Sequence, residues 1–181
     1  MRTDHQDCRA VKGVIDINIV LSLLMAAFGT AAGLYFSFRL KEREKVMSEV
    51  MLLIKELSVQ IRYTNSEIGE MLRAAARNEA YKRLLFITFC ADTEMGGNFH
   101  VKWNEGVRNQ PYLTSRDKEV LTALGDRLGE TDCDGQLSFL EMTEELIRGQ
   151  REQAAADYSN KGKLYRSVGI LCGLAAGIMV I

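Results

Sequence analysis

The sequence predicts an all-α chain, a cytoplasmic helical bundle over 39–166 flanked by N-terminal and C-terminal transmembrane helices at 17–38 and 167–181, behind a tail of residues 1–16. Three observations predict it. Proline occurs once, at Pro111, so almost nothing forces a helix to break. Residues 17–38 are 22 consecutive uncharged positions, and the last 15 residues are uncharged as well. All but three of the 23 basic and all but three of the 24 acidic side chains lie between 39 and 166, which makes the middle the water-facing part.

At about 1.5 Å of rise per residue, the first run crosses a hydrocarbon layer about 30 Å thick. A cleaved signal peptide is the competing reading, since Arg2, Arg9 and Lys12 precede the run. The run is longer than such segments, however, and RLKEREK follows at once as a stop-transfer flank. The terminal run covers only about 22 Å as a helix, a shortfall that snorkelling by Lys161, Lys163 and Arg166 makes up. These three cations, and Arg39, Lys41, Arg43 and Lys45 after the first run, flank the membrane on the side of the middle domain. The positive-inside rule therefore makes that domain cytoplasmic. Gly29 with Gly33, and Gly169, Gly173 and Gly177, recur at four-residue spacing and give each span a face on which a neighbouring backbone packs closely.

Within the middle, Val46, Val50, Leu53, Leu57 and Ile61 form a stripe that carries the first helix on to Tyr63 and calls for a partner surface, as in a coiled coil. Thr64 and Glu67 have the spacing of a capping box for a helix through Met71 and Leu72. Asn78 is placed to cap a helix containing Tyr81, Leu84, Leu85 and Thr88, which runs to a loop at Gly96 and Gly97. Within it LLFITFC, residues 84–90, has the composition of a strand but helical neighbours. A short amphipathic helix follows with Phe99, Val101, Trp103 and Val107. Thr114 or Ser115 caps the next, which ends at Gly129. Asp132 caps a last helix to the terminus, with Gly149 and Gly162 as candidate bends.

Chemistry is sparse. The two histidines, His5 and His100, have no partners at metal-ligand spacing, and Cys8, Cys90, Cys133 and Cys172 form no C-x2-C pair. There is no phosphate-gripping G-x-x-x-x-G-K-[ST] loop and no G-x-S-x-G elbow. The acids Asp126, Glu130, Asp132 and Asp134 do not follow the calcium-loop pattern. The expectation is a non-enzymatic protein without metal or cofactor; a hydrolase assembled from Asp126, His100 and Ser138 is the remote alternative. Nucleic acid is not expected as a partner, because the net charge is -1 and basic surplus is lacking. Candidate protein contacts are Arg73, Arg77, Lys82 and Arg83, with Asp126 and Glu130. Trp103, Phe99 and Tyr112 read as core before interface anchor.

The order of several segments resembles the stage III sporulation protein AB family. They are the first span followed by RLKEREKVMSEVMLLIKELSVQI, the YTNSEIGEMLRAAA helix, the isolated Trp103, the LTALGDRLGETDCDGQLSFLEM stretch and the closing YRSVGILCGLAAGIMVI. Most specific is the series Leu124-Gly125, Leu128-Gly129, Asp132, Gln136. The resemblance implies a membrane component of the channel complex between mother cell and forespore in endospore formation. It implies a location in the cell membrane on the mother-cell side, and a cytoplasmic domain similar to the platform domains of type II secretion and type IV pilus machines. By that analogy its partners are a secretion-type ATPase and other membrane components of the complex, besides the lipid bilayer. A membrane-anchored regulatory or signalling adaptor is the alternative.

Overall fold

The computed structural model describes residues 4–63, 67–91, 99–130 and 132–180, with side chains described from Val20 to Met179. Among these residues the backbone forms α1 (Asp4–Tyr63), α2 (Ile68–Ala76), a 3-10 turn (Glu79–Tyr81), α3 (Leu85–Ala91), α4 (Phe99–Asn109), α5 (Ser115–Arg127) and α6 (Cys133–Val180), and no strand. The chain makes two compact units: Met1–Leu40 with Ala156–Ile181, and Lys41–Ala155.

In the unit Lys41–Ala155 the stripe read from the sequence is the α1 side of a single core. Val46, Val50, Leu53 and Leu57 are buried, with Met47 and Ile54 beside them. They meet Leu72 of α2, Phe86 and Ile87 of α3, Trp103 of α4, Leu121 and Leu124 of α5, and Leu140 and Ile147 of α6. Trp103 and Phe99 are almost fully buried, so both serve the core and not an exposed anchor, while Tyr112 is half-buried in the turn after Pro111. The Trp103 ring meets Phe86 edge-on at 4.9 Å, and its Nε1 donates to the Leu121 carbonyl at 2.7 Å, which supplies the one polar partner that a buried indole needs. Two glycines make room for the aromatics. A Cβ on Gly125 would lie 2.0 Å from Trp103 Cδ1, and one on Gly106 2.6 Å from Phe86 Cα.

The series of Leu-Gly pairs has a mechanical explanation here. Leu124 and Leu128 are buried, Gly125 seats the indole, and Gly129 takes φ 86°, the left-handed conformation in which glycine costs least at a helix end. Asp132 then caps α6, its Oδ1 accepting from the Gly135 N–H at 3.2 Å. α6 runs unbroken through both Gly149 and Gly162.

Two local expectations are corrected. The helix expected from Asn78 through Thr88 is divided: Asn78 accepts from the Ala80 N–H, but the turn it opens is 3-10, and α3 starts afresh at Leu85. The cause is a side chain distant in sequence. Gln110, 1% exposed, accepts the Leu85 N–H and donates to the Arg83 carbonyl, both at 2.8 Å, which satisfies the backbone groups that the break releases. LLFITFC is thereby helical. At α2 the residue preceding the helix is Glu67 itself, and it makes no side-chain cap; Thr64, and the loop at Gly96 and Gly97, lie outside the described residues.

A buried ion pair ties α1 to α5. Arg43 presents a bidentate fork to Asp117, Nε to Oδ2 at 2.8 Å and Nη2 to Oδ1 at 3.0 Å. Asp117 also completes a capping box with Thr114, accepting the Thr114 N–H at 2.8 Å while its own N–H reaches the Thr114 hydroxyl. Burial pushes the Asp117 carboxyl up, but the Arg43 fork, the Thr114 bonds and the Arg43 charge outweigh it and hold the group below its ordinary value.

Gly125→Ala would gain about 1 kcal/mol in an exposed helix. Here the added methyl must displace the indole, and the overpacking cost of about 1–3 kcal/mol reverses the sign. Urea unfolding of the full chain in detergent, followed by the fluorescence of Trp103, should show a lower midpoint; a raised midpoint would mean the ring yields freely. Asp117→Ala should destabilise by about 3–5 kcal/mol at pH 7, because the buried Arg43 guanidinium loses the carboxylate that its fork grips. A depressed carboxyl stabilises above its unfolded value near about 3.9 and loses that contribution as pH falls through its folded value. The gap between wild type and Asp117→Ala should therefore narrow below about pH 4, whereas a constant gap would deny the ion pair its role.

Candidate functional site: a glycine seam and a charged helical surface

In the unit Met1–Leu40 with Ala156–Ile181, α1 and α6 lie antiparallel, and their contact is made by backbone. A Cβ built on Gly29 would stand 2.7 Å from Gly173 Cα and 2.9 Å from the Gly169 carbonyl oxygen. On Gly33 it would stand 2.5 Å from the Tyr165 carbonyl oxygen. From the other side, Gly169 would meet the Gly29 oxygen at 2.8 Å, Gly173 the Ala26 oxygen at 2.8 Å and Gly177 the Ser22 oxygen at 3.0 Å. At Gly29, Gly33, Gly169 and Gly173 the obstructing atoms are main-chain atoms closer than 3.0 Å, so no rotamer change relieves the clash, whereas Gly177 needs only a small yield of its neighbour. All five glycines singled out in the sequence thus belong to one seam within a single chain.

The α1 side of the seam is longer than its two glycines. Ser22, Ala26, Gly29, Gly33 and Ser37 succeed one another opposite Gly177, Gly173, Gly169, Tyr165 and Gly162. The signal for Ser22, Ala26 and Ser37 was present in the sequence as small residues at three- and four-residue spacing, but the pattern of glycines alone did not include them. Thr30, beside the seam, returns its hydroxyl to the Ala26 carbonyl at 2.8 Å and exposes no unsatisfied polar atom. The outer surface is apolar: Leu23, Phe28, Leu171 and Ile178 are each between 65% and 76% exposed. Among the described residues one helix, α1, is long and apolar enough to cross a membrane.

The candidate contact residues of the unit Lys41–Ala155 fall into different surroundings. Arg83 is held by α1, with Nη1 on Glu49, Nε 3.4 Å from Glu42 and its backbone N–H on Glu49. The Glu49 hydrogen bond, partly opposed by burial, raises the Arg83 guanidinium; the Lys45 hydrogen bond leads the effects that lower Glu42. Lys82 pairs with Glu79 at the surface at 3.2 Å. Arg73 and Arg77, on and just after α2, have no ion-pair partner among the described residues. Asp126 accepts from the Asn104 amide at 2.9 Å, and Glu130 is exposed in the turn after α5. His100 directs Nδ1 to the Gly125 carbonyl at 2.8 Å, at the end of α5 where carbonyls lack helical partners. Ser138 is exposed on α6, and among the described residues no hydrogen bond joins it to His100 or Asp126. No group of three metal-ligating side chains occurs among the described residues.

The family model described as stage III sporulation protein AB matches residues 18–181. No curated protein and no solved structure matches the chain.

The seam brings Ser22 Cβ to 3.7 Å from the Cβ that residue 177 would carry, close to the separation of about 3.8 Å found in disulfides. In a chain whose native cysteines are replaced by alanine, Ser22→Cys with Gly177→Cys should form an intrachain bridge on mild oxidation. Adding Gly173→Leu should abolish it and adding Leu174→Ala should not, since only the first drives a side chain into opposing backbone. Equal bridging by the two variants would refute the seam.

Proposed function

Because the chain belongs to the stage III sporulation protein AB family, which acts in the third stage of sporulation, we propose that it is a non-enzymatic membrane scaffold of the channel complex between mother cell and forespore. In this reading both terminal helices cross the membrane and residues 41–155 dock a secretion-type ATPase in the mother-cell cytoplasm. The glycine seam is the observation that carries the proposal. A terminal run of 15 uncharged residues is short for an independent span, but one locked backbone to backbone against a 22-residue partner shares that partner's place in the bilayer. Antiparallel spans return the chain to the side it left, and Arg39 on one with Lys161, Lys163 and Arg166 on the other make that side cytoplasmic.

The docking surface is assigned to Arg73 and Arg77, which have no ion-pair partner among the described residues. Arg83 is a structural cation of the α1 contact and is not part of it. An ATPase partner presenting acidic side chains would supply the missing counter-charges.

The tagged full chain, crosslinked in membranes of sporulating cells, should recover a secretion-type ATPase. Arg73→Glu with Arg77→Glu should cut that recovery by about tenfold at matched protein level, since like charges are then opposed across the interface. Failure of the wild-type chain to recover any ATPase would sink the docking reading, and full recovery by the double variant would remove these two residues from it.

A further inference from the structure

We infer that the end of the helix pair nearest residues 37–39 and 163–166 is a binding surface for the headgroups of anionic phospholipids, with Arg166 held ready for phosphate by Ser37. The inference rests on the membrane reading above. Ser37 is 3% exposed in the seam, and Arg166 donates from Nε to its hydroxyl at 3.0 Å. Gly162 makes this possible, because a Cβ there would come within 3.3 Å of the same hydroxyl. A guanidinium carries five N–H donors in a rigid plane, so one bond through Nε fixes the plane and leaves the terminal amino groups for another acceptor. Arg166 is exposed, and among the described residues no carboxylate pairs with it.

Two further cations stand at the same end. Lys163 precedes Arg166 by three residues on the same side of α6, and Arg39 projects from α1; both are exposed and neither has an ion-pair partner among the described residues. The acid at this end, Asp157, is already engaged by Lys161 at 2.7 Å. Aromatic rings lie at the same level: Phe36 and Tyr165 are 5.8 Å apart and Tyr35 and Phe36 5.9 Å, the belt that marks a bilayer interface.

The occupant follows from what adjoins the cations. Leu164, Tyr165 and Val168 are exposed in the same turns as Lys163 and Arg166, so the ligand must offer an anion and an acyl chain together. An acidic peptide offers only the first. A zwitterionic lipid brings its own cation to neutralise its phosphate, whereas an anionic lipid leaves a net charge for Arg39, Lys163 and Arg166.

The full chain is reconstituted in phosphatidylcholine vesicles with a trace of acyl-chain spin-labelled phosphatidylglycerol or phosphatidylcholine, and electron paramagnetic resonance measures the motionally restricted fraction of each. At low salt the restricted layer should favour phosphatidylglycerol by roughly two- to fivefold. Arg39→Gln with Lys163→Gln and Arg166→Gln should bring the ratio close to one. Ser37→Ala, which keeps every charge, should lower it in part, and Arg73→Gln with Arg77→Gln should leave it unchanged. Equal restriction of the two lipids by the wild type, retention of the preference by the triple variant, or its loss in the Arg73 and Arg77 variant would overturn the proposal. Absence of a restricted fraction for either lipid would overturn the membrane reading beneath it.

Discussion

The constraint on which the helix pair depends is the close approach of two backbones. At Gly29, Gly33, Gly169 and Gly173 there is no space for a side chain between α1 and α6, and for helices that stand in lipid such closeness is the main source of attraction, because lipid offers no hydrophobic incentive to associate. Dispersion between main-chain atoms is then gained only while the glycine positions of the seam stay free of Cβ atoms. Since α1 and α6 are the first and last helices among the described residues, closing the seam also closes the chain between them into one loop.

The same two helices meet again in the unit Lys41–Ala155, by different chemistry. There Lys55 pairs with Glu144 at 3.6 Å, Arg62 with Glu141 at 3.5 Å, and Arg151 lies 3.6 Å from the Met51 sulfur. Exposed pairs of this kind contribute about 0–1 kcal/mol each, so they set register more than they stabilise. The stabilisation comes from the stripe beneath, where Val46 to Leu57 leave water altogether. One helix thus changes its mode of adhesion along its length, from small residues to large ones.

What could be read from the sequence was what depends on near neighbours. The α1 stripe, the Thr114 and Asp132 caps and the helix end at Gly129 all follow from residues within one or two turns, and all stand in the structure. The break between the 3-10 turn and α3 did not follow, because its cause is Gln110, 25 residues beyond Leu85. Arg83 looked like one of four surface cations because its acidic partner Glu49 lies 34 residues away on α1. The seam was half legible: glycines stand out at their spacing, while Ser22, Ala26 and Ser37 are small enough to serve but too ordinary to be noticed. That the two terminal helices pack on each other within one chain depends on the path of everything between them, which no local pattern records.

The distinction between Arg83 and its neighbours on α2 also decides what a surface can do. A cation that already shares two carboxylates must give up those bonds before it serves another partner, so what it adds to a new interface is a difference between two similar sets of contacts. Among the described residues Arg73 and Arg77 have no such prior claim. The same reasoning separates Lys161, engaged by Asp157, from Arg166, whose bond to Ser37 satisfies one donor without neutralising the charge. A neutral hydroxyl is the partner that orients a cation and leaves it a cation. Placed at the edge of an apolar helix pair, that arrangement creates a standing demand for a negative charge that no carboxylate among the described residues meets.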